Sequence, residues 1–156
     1  MKILLYTVFG LLLVMSLYFV GLSISSRKQP DLGMLNGQLR ACPASPNCVC
    51  SELRNERSFV DPLMFTAVAG DAWQHAKKAI VENGGVIVTE REGYLHANFV
   101  TPLLRYIDDV ELRMDENKQV IHIRSASRVG YSDMGANQAR VTKIRMSFQK
   151  NVRPDK

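Results

Sequence analysis

The stretch Ile107-Asp-Asp-Val-Glu-Leu-Arg-Met114, with Asp115-Glu-Asn-Lys118 and then Gln119-Val-Ile-His-Ile-Arg-Ser-Ala-Ser-Arg128, decides the fold. Val110, Leu112 and Met114 alternate with Asp109, Glu111 and Arg113; Ile121 and Ile123 alternate with His122 and Arg124. Side chains on a strand point to opposite faces in turn, so each half reads as a strand with one buried face. A four-residue loop at 115–118 pairs Met114 with Gln119. Asp109 then faces Arg124 and Glu111 faces His122, while Val110 meets Ile123 and Leu112 meets Ile121. Opposite charges meet on one face and aliphatics on the other, which cross-strand pairing favours.

Working outward, Val86–Arg91 and Tyr94–Val100 read as two more strands around a Glu92-Gly93 turn. A helix is expected from Asp71 to Asn83, with Trp73, Ala76 and Ile80 on one stripe and Gly84-Gly85 as the stop. Val141, Ile144 and Phe148 predict a last helix over Ala136–Gln149. The expected fold class is α+β: helix, four-stranded antiparallel sheet, helix, with helices covering one sheet face. Residues 42–150 form the single domain and 151–156 a tail. Pro30 and Gly33 mark 27–41 as a linker, and Pro43 and Pro46 make 42–51 a turn-rich loop.

Residues Ile3–Ile24 carry no charge, so residues 1–26 read as a transmembrane anchor. A helix rises about 1.5 Å per residue, so this length crosses a hydrocarbon core of about 30 Å. The long apolar run and its Ser-Ile-Ser-Ser ending favour an uncleaved anchor over a signal peptide. Lys2 is balanced by Arg27 and Lys28, so the charge count barely sets orientation. Export of the large part is expected, since only a two-residue tail would otherwise cross.

The 156 residues carry a formal charge of +5, unevenly placed. Residues 82–116 hold eight acids against three arginines, and 120–156 hold eight bases against two acids. The basic end either meets an anionic partner or is neutralised by the acidic region within the fold.

Three motifs together carry a family resemblance: Cys42-Pro-Ala-Ser-Pro-Asn-Cys48, Ile107-Asp-Asp-Val-Glu111, and Arg124-Ser-Ala-Ser-Arg-Val-Gly-Tyr-Ser-Asp-Met-Gly-Ala-Asn137 with Arg140. They resemble the "domain of unknown function 1499" family over residues 40–149. That family occurs in bacteria and plastid-bearing organisms, and the resemblance implies no settled biochemical activity. The family pattern usually has serine where this chain has Cys50, so no role for Cys50 follows from it.

Three cysteines in a short loop on an exported side point to a Cys42–Cys48 disulfide, which would stabilise by about 2–3 kcal/mol. The alternatives are free thiols, or zinc held by the three thiolates with His75, His96 or His122. Asp108-Asp109-Val110-Glu111 has the composition of an acid/base or metal site, but Asp108 and Asp109 point to opposite faces. A salt bridge from Asp109 to Arg124 is the plainer reading. Asp108 shares a face with Val110 and needs a partner, with Arg128, Arg140 or backbone amides available.

The candidate ligand-binding set is Asp108, Arg124, Ser125, Ser127, Arg128, Tyr131, Asp133, Asn137 and Arg140. Guanidinium groups and hydroxyls beside a helix N-terminus suit an anion. The competing reading is a structural network, with Asp133 as a helix cap and Gly130 in a turn. Lys143, Arg145 and Lys150 make a basic helix face that is either solvated or directed at anionic lipid head groups. No nucleophile elbow, phosphate loop or His-Glu-x-x-His helix occurs, and no aromatic platform for nucleic acid.

The expectation is a single-pass protein of a bacterial inner membrane with its C-terminal domain in the periplasm. Its domain is expected to bind an anionic small molecule, a lipid or an envelope protein, without cofactor or metal. The alternative is an envelope hydrolase or transferase using Asp108 as base, with Arg128 and Arg140 as charge clamps.

Overall fold

A computed structural model describes residues 1–52 and 57–152. Helix α1 (Lys2–Ser25) carries no charge after Lys2 and buries no residue. Two short strands, β1 (Met34–Leu35) and β2 (Gln38–Leu39), pair with each other. Then come β3 (Cys48–Cys50), β4 (Leu63–Met64) and helix α2 (Ala69–Glu82). Strands β5 (Val86–Arg91), β6 (Tyr94–Val100), β7 (Ile107–Asp115) and β8 (Val120–Ser127) follow, and helix α3 (Ala136–Val152) closes the chain's described part.

The main sheet has six antiparallel strands rather than the four expected: β3-β8-β7-β6-β5 in order, with β4 also on β8. The added strands are two and three residues long. They take their hydrogen bonds from β8, and so short a run has no period to read. The α+β class and the four longer strands stand as expected.

The β7–β8 register differs from the expected one by two residues. Asp115 pairs with Val120, so Glu111 faces Arg124, Leu112 faces Ile123 and Asp109 faces Ala126. The turn occupies 116–119 because Gln119 takes a left-handed φ of 51° and donates its N–H to the Glu116 carbonyl at 3.1 Å. Asp115 Oδ1 also accepts the Lys118 N–H at 3.2 Å. A two-residue shift preserves which face each side chain takes but changes every partner. The expected Asp109–Arg124 and Glu111–His122 pairs are therefore replaced.

On one face Leu95, Ala97, Val110, Leu112, Ile121 and Ile123 pack against Ala76 and Ile80 of α2 and Val141, Ile144 and Phe148 of α3. The chain leaves α2 through Gly84, at φ +86°, and Gly85, on which a Cβ would lie 2.7 Å from both Ile80 Cγ2 and the Phe99 ring. The other face is buried too: Tyr94, His96, Asp109, Glu111 and Arg124 are all buried. Residues 27–41, expected as a linker, fold across it together with Ser26 as a strap, burying Ser26 and Leu39. A disulfide joins Cys42 to Cys48 at 2.07 Å, which removes the three-thiolate zinc reading. Cys50 is free and buried.

Candidate functional site

The segment Arg124–Arg128 looks like one cluster in sequence, and strand alternation divides it. Ser125 and Ser127 point to the helix side of β8, whereas Arg124 and Arg128 point to the strap side. Two polar networks result, on opposite faces of the sheet.

On the helix side, Asn137 in the first turn of α3 is the hub. Its Nδ2 donates to the Asn47 carbonyl at 2.9 Å, to Ser127 Oγ at 3.0 Å and to Asp133 Oδ2 at 2.7 Å. Its Oδ1 accepts from Ser125 Oγ at 2.6 Å and from Arg140 Nη1. Arg140 also donates to Ser125 Oγ at 3.0 Å and to Asp108 Oδ2 at 2.5 Å. Its guanidinium lies 5.0 Å from the Phe99 ring centroid, an arrangement that favours a cation. Asp133 accepts the N–H groups of Gly135 at 3.0 Å and Asn137 at 2.8 Å, capping α3.

On the strap side, Arg128 donates to Asp109 through Nε at 2.8 Å and Nη2 at 2.6 Å. It also donates to Asn98 Oδ1 at 2.9 Å and to the Ser26 carbonyl at 3.1 Å. His96 Nε2 lies 2.7 Å from Asp109 Oδ1. Burial raises the Asp109 carboxyl pKa, but the bonds from Arg128 and His96 outweigh it and hold the group below its ordinary value. One residue pair along, Glu111 accepts Tyr94 Oη at 2.8 Å, Arg124 Nη1 at 2.9 Å and the strap's Gly33 N–H at 2.8 Å. Burial first, then the Glu111 charge, pushes the Tyr94 phenol well up, so it stays protonated and donates. Farther on, Arg113 pairs with Glu52 at 2.8 Å, and Glu52 accepts the Leu39 N–H at 3.2 Å.

Of the nine candidate residues, Asp108, Ser125, Ser127, Asp133, Asn137 and Arg140 come together on the helix side. Arg124 and Arg128 sit in the second network, and Tyr131 stands outside both with 77% of its surface exposed. All three arginines are engaged by carboxylates: Arg124 by Glu111, Arg128 by Asp109, Arg140 by Asp108. Asn47, Glu52 and Ser26 belong to the networks and were not singled out in the sequence, and His96, also a member, was named there only as a possible zinc ligand. Asn47 alone had a local signal, since it lies within the Cys42–Cys48 motif.

Asp108 and Ser127 reach the wall of a cavity of about 340 Å³ that is otherwise largely apolar, with Pro102, Leu104, Tyr106 and Met134 around it. At the other end of the sheet, Ser51, Glu52 and His122 line a larger cavity of about 810 Å³. Ser51 Oγ lies 3.1 Å from His122 Nδ1, and His122 Nε2 lies 3.9 Å from Asp115 Oδ2. This has the order of a catalytic triad, but Ser51 is 3% exposed and its Oγ accepts the Ile123 N–H at 2.9 Å, so the hydroxyl is committed to the strand. Burial pushes the Cys50 thiol up, which keeps it a poor nucleophile. Among the described residues, no group of three or more His, Cys, Asp or Glu side chains is placed to hold a metal ion.

An apolar helix tied by a strap to a six-stranded α+β domain with two internally paired polar layers is the class that fold and site define. Residues 38–148 match the model of a family described as a protein of unknown function, DUF1499, and the chain belongs to that family. No curated protein and no solved structure matches it.

Proposed function

We propose that this protein is a membrane-tethered accessory module that holds its domain on the extracytoplasmic surface, as in a bacterial periplasm, and acts there by binding. The observation that carries this reading is the junction between α1 and the sheet. Ser26 is wholly buried, its carbonyl accepts from Arg128 and its hydroxyl accepts the Ile107 N–H at 3.2 Å. A signal peptidase cutting just after Ser26 would remove a residue built into the domain. An uncleaved anchor keeps it joined, and fixes the pose of the domain against the bilayer.

The tether's length supports spanning, since α1 has 24 residues and mean hydropathy 2.4 in its most apolar window. The engaged arginines weigh against a clamp for a free anion, because each is already neutralised by a buried carboxylate. An amphiphile or an envelope protein is the better-supported partner. The test is a pair of C-terminal fusions in a bacterium, one to alkaline phosphatase and one to a fluorescent protein that matures only in the cytoplasm. Phosphatase activity, no fluorescence and full-length protein retained in carbonate-washed membranes are expected. Fluorescence, or full-length protein soluble without detergent, would refute the tether.

An enzymatic reading rests on Asp108 standing at the wall of the 340 Å³ cavity. It requires the Asp108–Arg140 pair to open for substrate, and Asp108→Asn separates the readings. Loss of function in a folded variant would favour an acid/base role.

A further inference from the structure

We infer that two loops at the α1 end of the sheet, residues 101–106 and 129–135, form a second membrane contact, seated in the interfacial layer of the bilayer that α1 crosses. This rests on the tether reading and adds to it a surface of the domain itself.

Depth is the first argument. The loop 101–106 is closed by Thr101 N–H to the Tyr106 carbonyl at 2.9 Å, and Tyr106 N–H to Thr101 Oγ1 at 2.9 Å. The next residue, Ile107, is bonded to Ser26 at the end of α1. On α1 itself, Phe19, Leu22 and Ser23 are half-buried while Tyr18, Val20 and Ile24 are exposed. The stripe 19/22/23/26 leans on the domain, as helical spacing requires. The loop therefore lies alongside the last turns of α1 and shares their depth.

Surface chemistry is the second. Leu103 is 88% exposed and Met134 100%, and both border the same 340 Å³ apolar cavity, with exposed Tyr131 nearby in sequence. Scattered exposed apolar residues need no explanation, but tips clustered on adjoining loops do. Exposed Arg105 on the first loop, and exposed Arg27 and Lys28 just past α1, supply cations at the same end. Apolar tips ringed by cations and tyrosine suit an interface of acyl chains and anionic head groups. The opposite turn, Glu116-Asn117-Lys118, is polar and about 27 Å away along β7, at about 3.3 Å per residue. Arg145, on the helix face read from sequence as either solvated or directed at lipid head groups, is at that remote end, bonded to the Asp61 carbonyl and lining the cavity with Lys118.

The test uses full-length protein in vesicles of phosphatidylcholine and phosphatidylglycerol. Leu103→Cys, Met134→Cys, Met64→Cys and Leu12→Cys are each labelled with an environment-sensitive fluorophore and exposed to lipids bearing a nitroxide at shallow or deep positions. All four sites are exposed, and the native cysteines are either paired or buried. Leu12 should be quenched by the deep nitroxide. Leu103 and Met134 should be quenched by the shallow one about threefold more than Met64, as an interfacial contact requires. If Leu12 is quenched while Leu103 and Met134 behave like Met64, the second contact is wrong and the tether stands. If Leu12 is not quenched, the tether fails and takes this inference with it.

Discussion

Arg128 concentrates the logic of the strap-side layer in one side chain. It neutralises Asp109, holds Asn98 and grips the Ser26 carbonyl, with 4% of its side chain exposed. Removing it strands an ionised carboxylate that is 1% exposed, with His96 as its remaining partner. Breaking a buried pair from one side costs about 3–5 kcal/mol, whereas replacing both partners by apolar groups removes both desolvation penalties. Arg128→Met is expected to lower stability by that amount in denaturant unfolding of the detergent-solubilised protein. Arg128→Met with Asp109→Leu should recover a large part of it. Equal midpoints for wild type and the single variant would show that the pair contributes nothing. The sequence exposed Arg128 as a candidate but assigned it the wrong company, grouping it with Ser125 and Ser127 on the other face.

At the scale of elements, the long strands were legible because their periods are long enough to count. Strands β5 and β6 lie where the Glu92-Gly93 turn and the runs flanking it place them. Helix α2 begins two residues before the expected Asp71, and α3 runs three residues past Gln149, both ordinary end effects. The β7–β8 turn was misplaced because a left-handed Gln119 has no strong sequence signature. The α2–β5 junction carries a sharper constraint. Gly84 supplies the turn conformation, while Gly85 is needed for space against Ile80 and Phe99. Gly85→Ala should force those side chains apart and cost about 1–3 kcal/mol, as overpacking does. Thermal unfolding checks this, and an unchanged midpoint would mean that the junction relaxes freely.

Across the whole molecule, the buried charge on the strap side of the sheet makes stability depend on pH. Asp109 and Asp115 have folded-state pKa values below the ordinary 3.8, where bonds to cations and amides outweigh burial. Their stabilisation is present above the unfolded pKa and is lost as pH falls through the folded one. His122 is held below the ordinary 6.5, chiefly by burial, so the unfolded chain takes up its proton first as pH falls. Stability should therefore fall in two stages on acidification, the first beginning just below pH 6.5 and the second below about pH 4. Urea midpoints measured from pH 8 to pH 3 test this, with His122→Gln expected to remove the first stage. A flat profile across that range would contradict the reading of the strap-side layer.

The apolar leading helix, the α+β class, the four long strands and the Cys42–Cys48 pairing follow from local patterns, because periodicity, turn chemistry and spacing act over a few residues. The strap, the short strands on β8 and the choice of carboxylate for each arginine do not. They depend on contacts such as Gly33 to Glu111 and Ser26 to Arg128, separated by 78 and 102 residues. No local period encodes such pairings. They form only once the sheet has placed its second face beneath the strap, where a buried charge must find a partner.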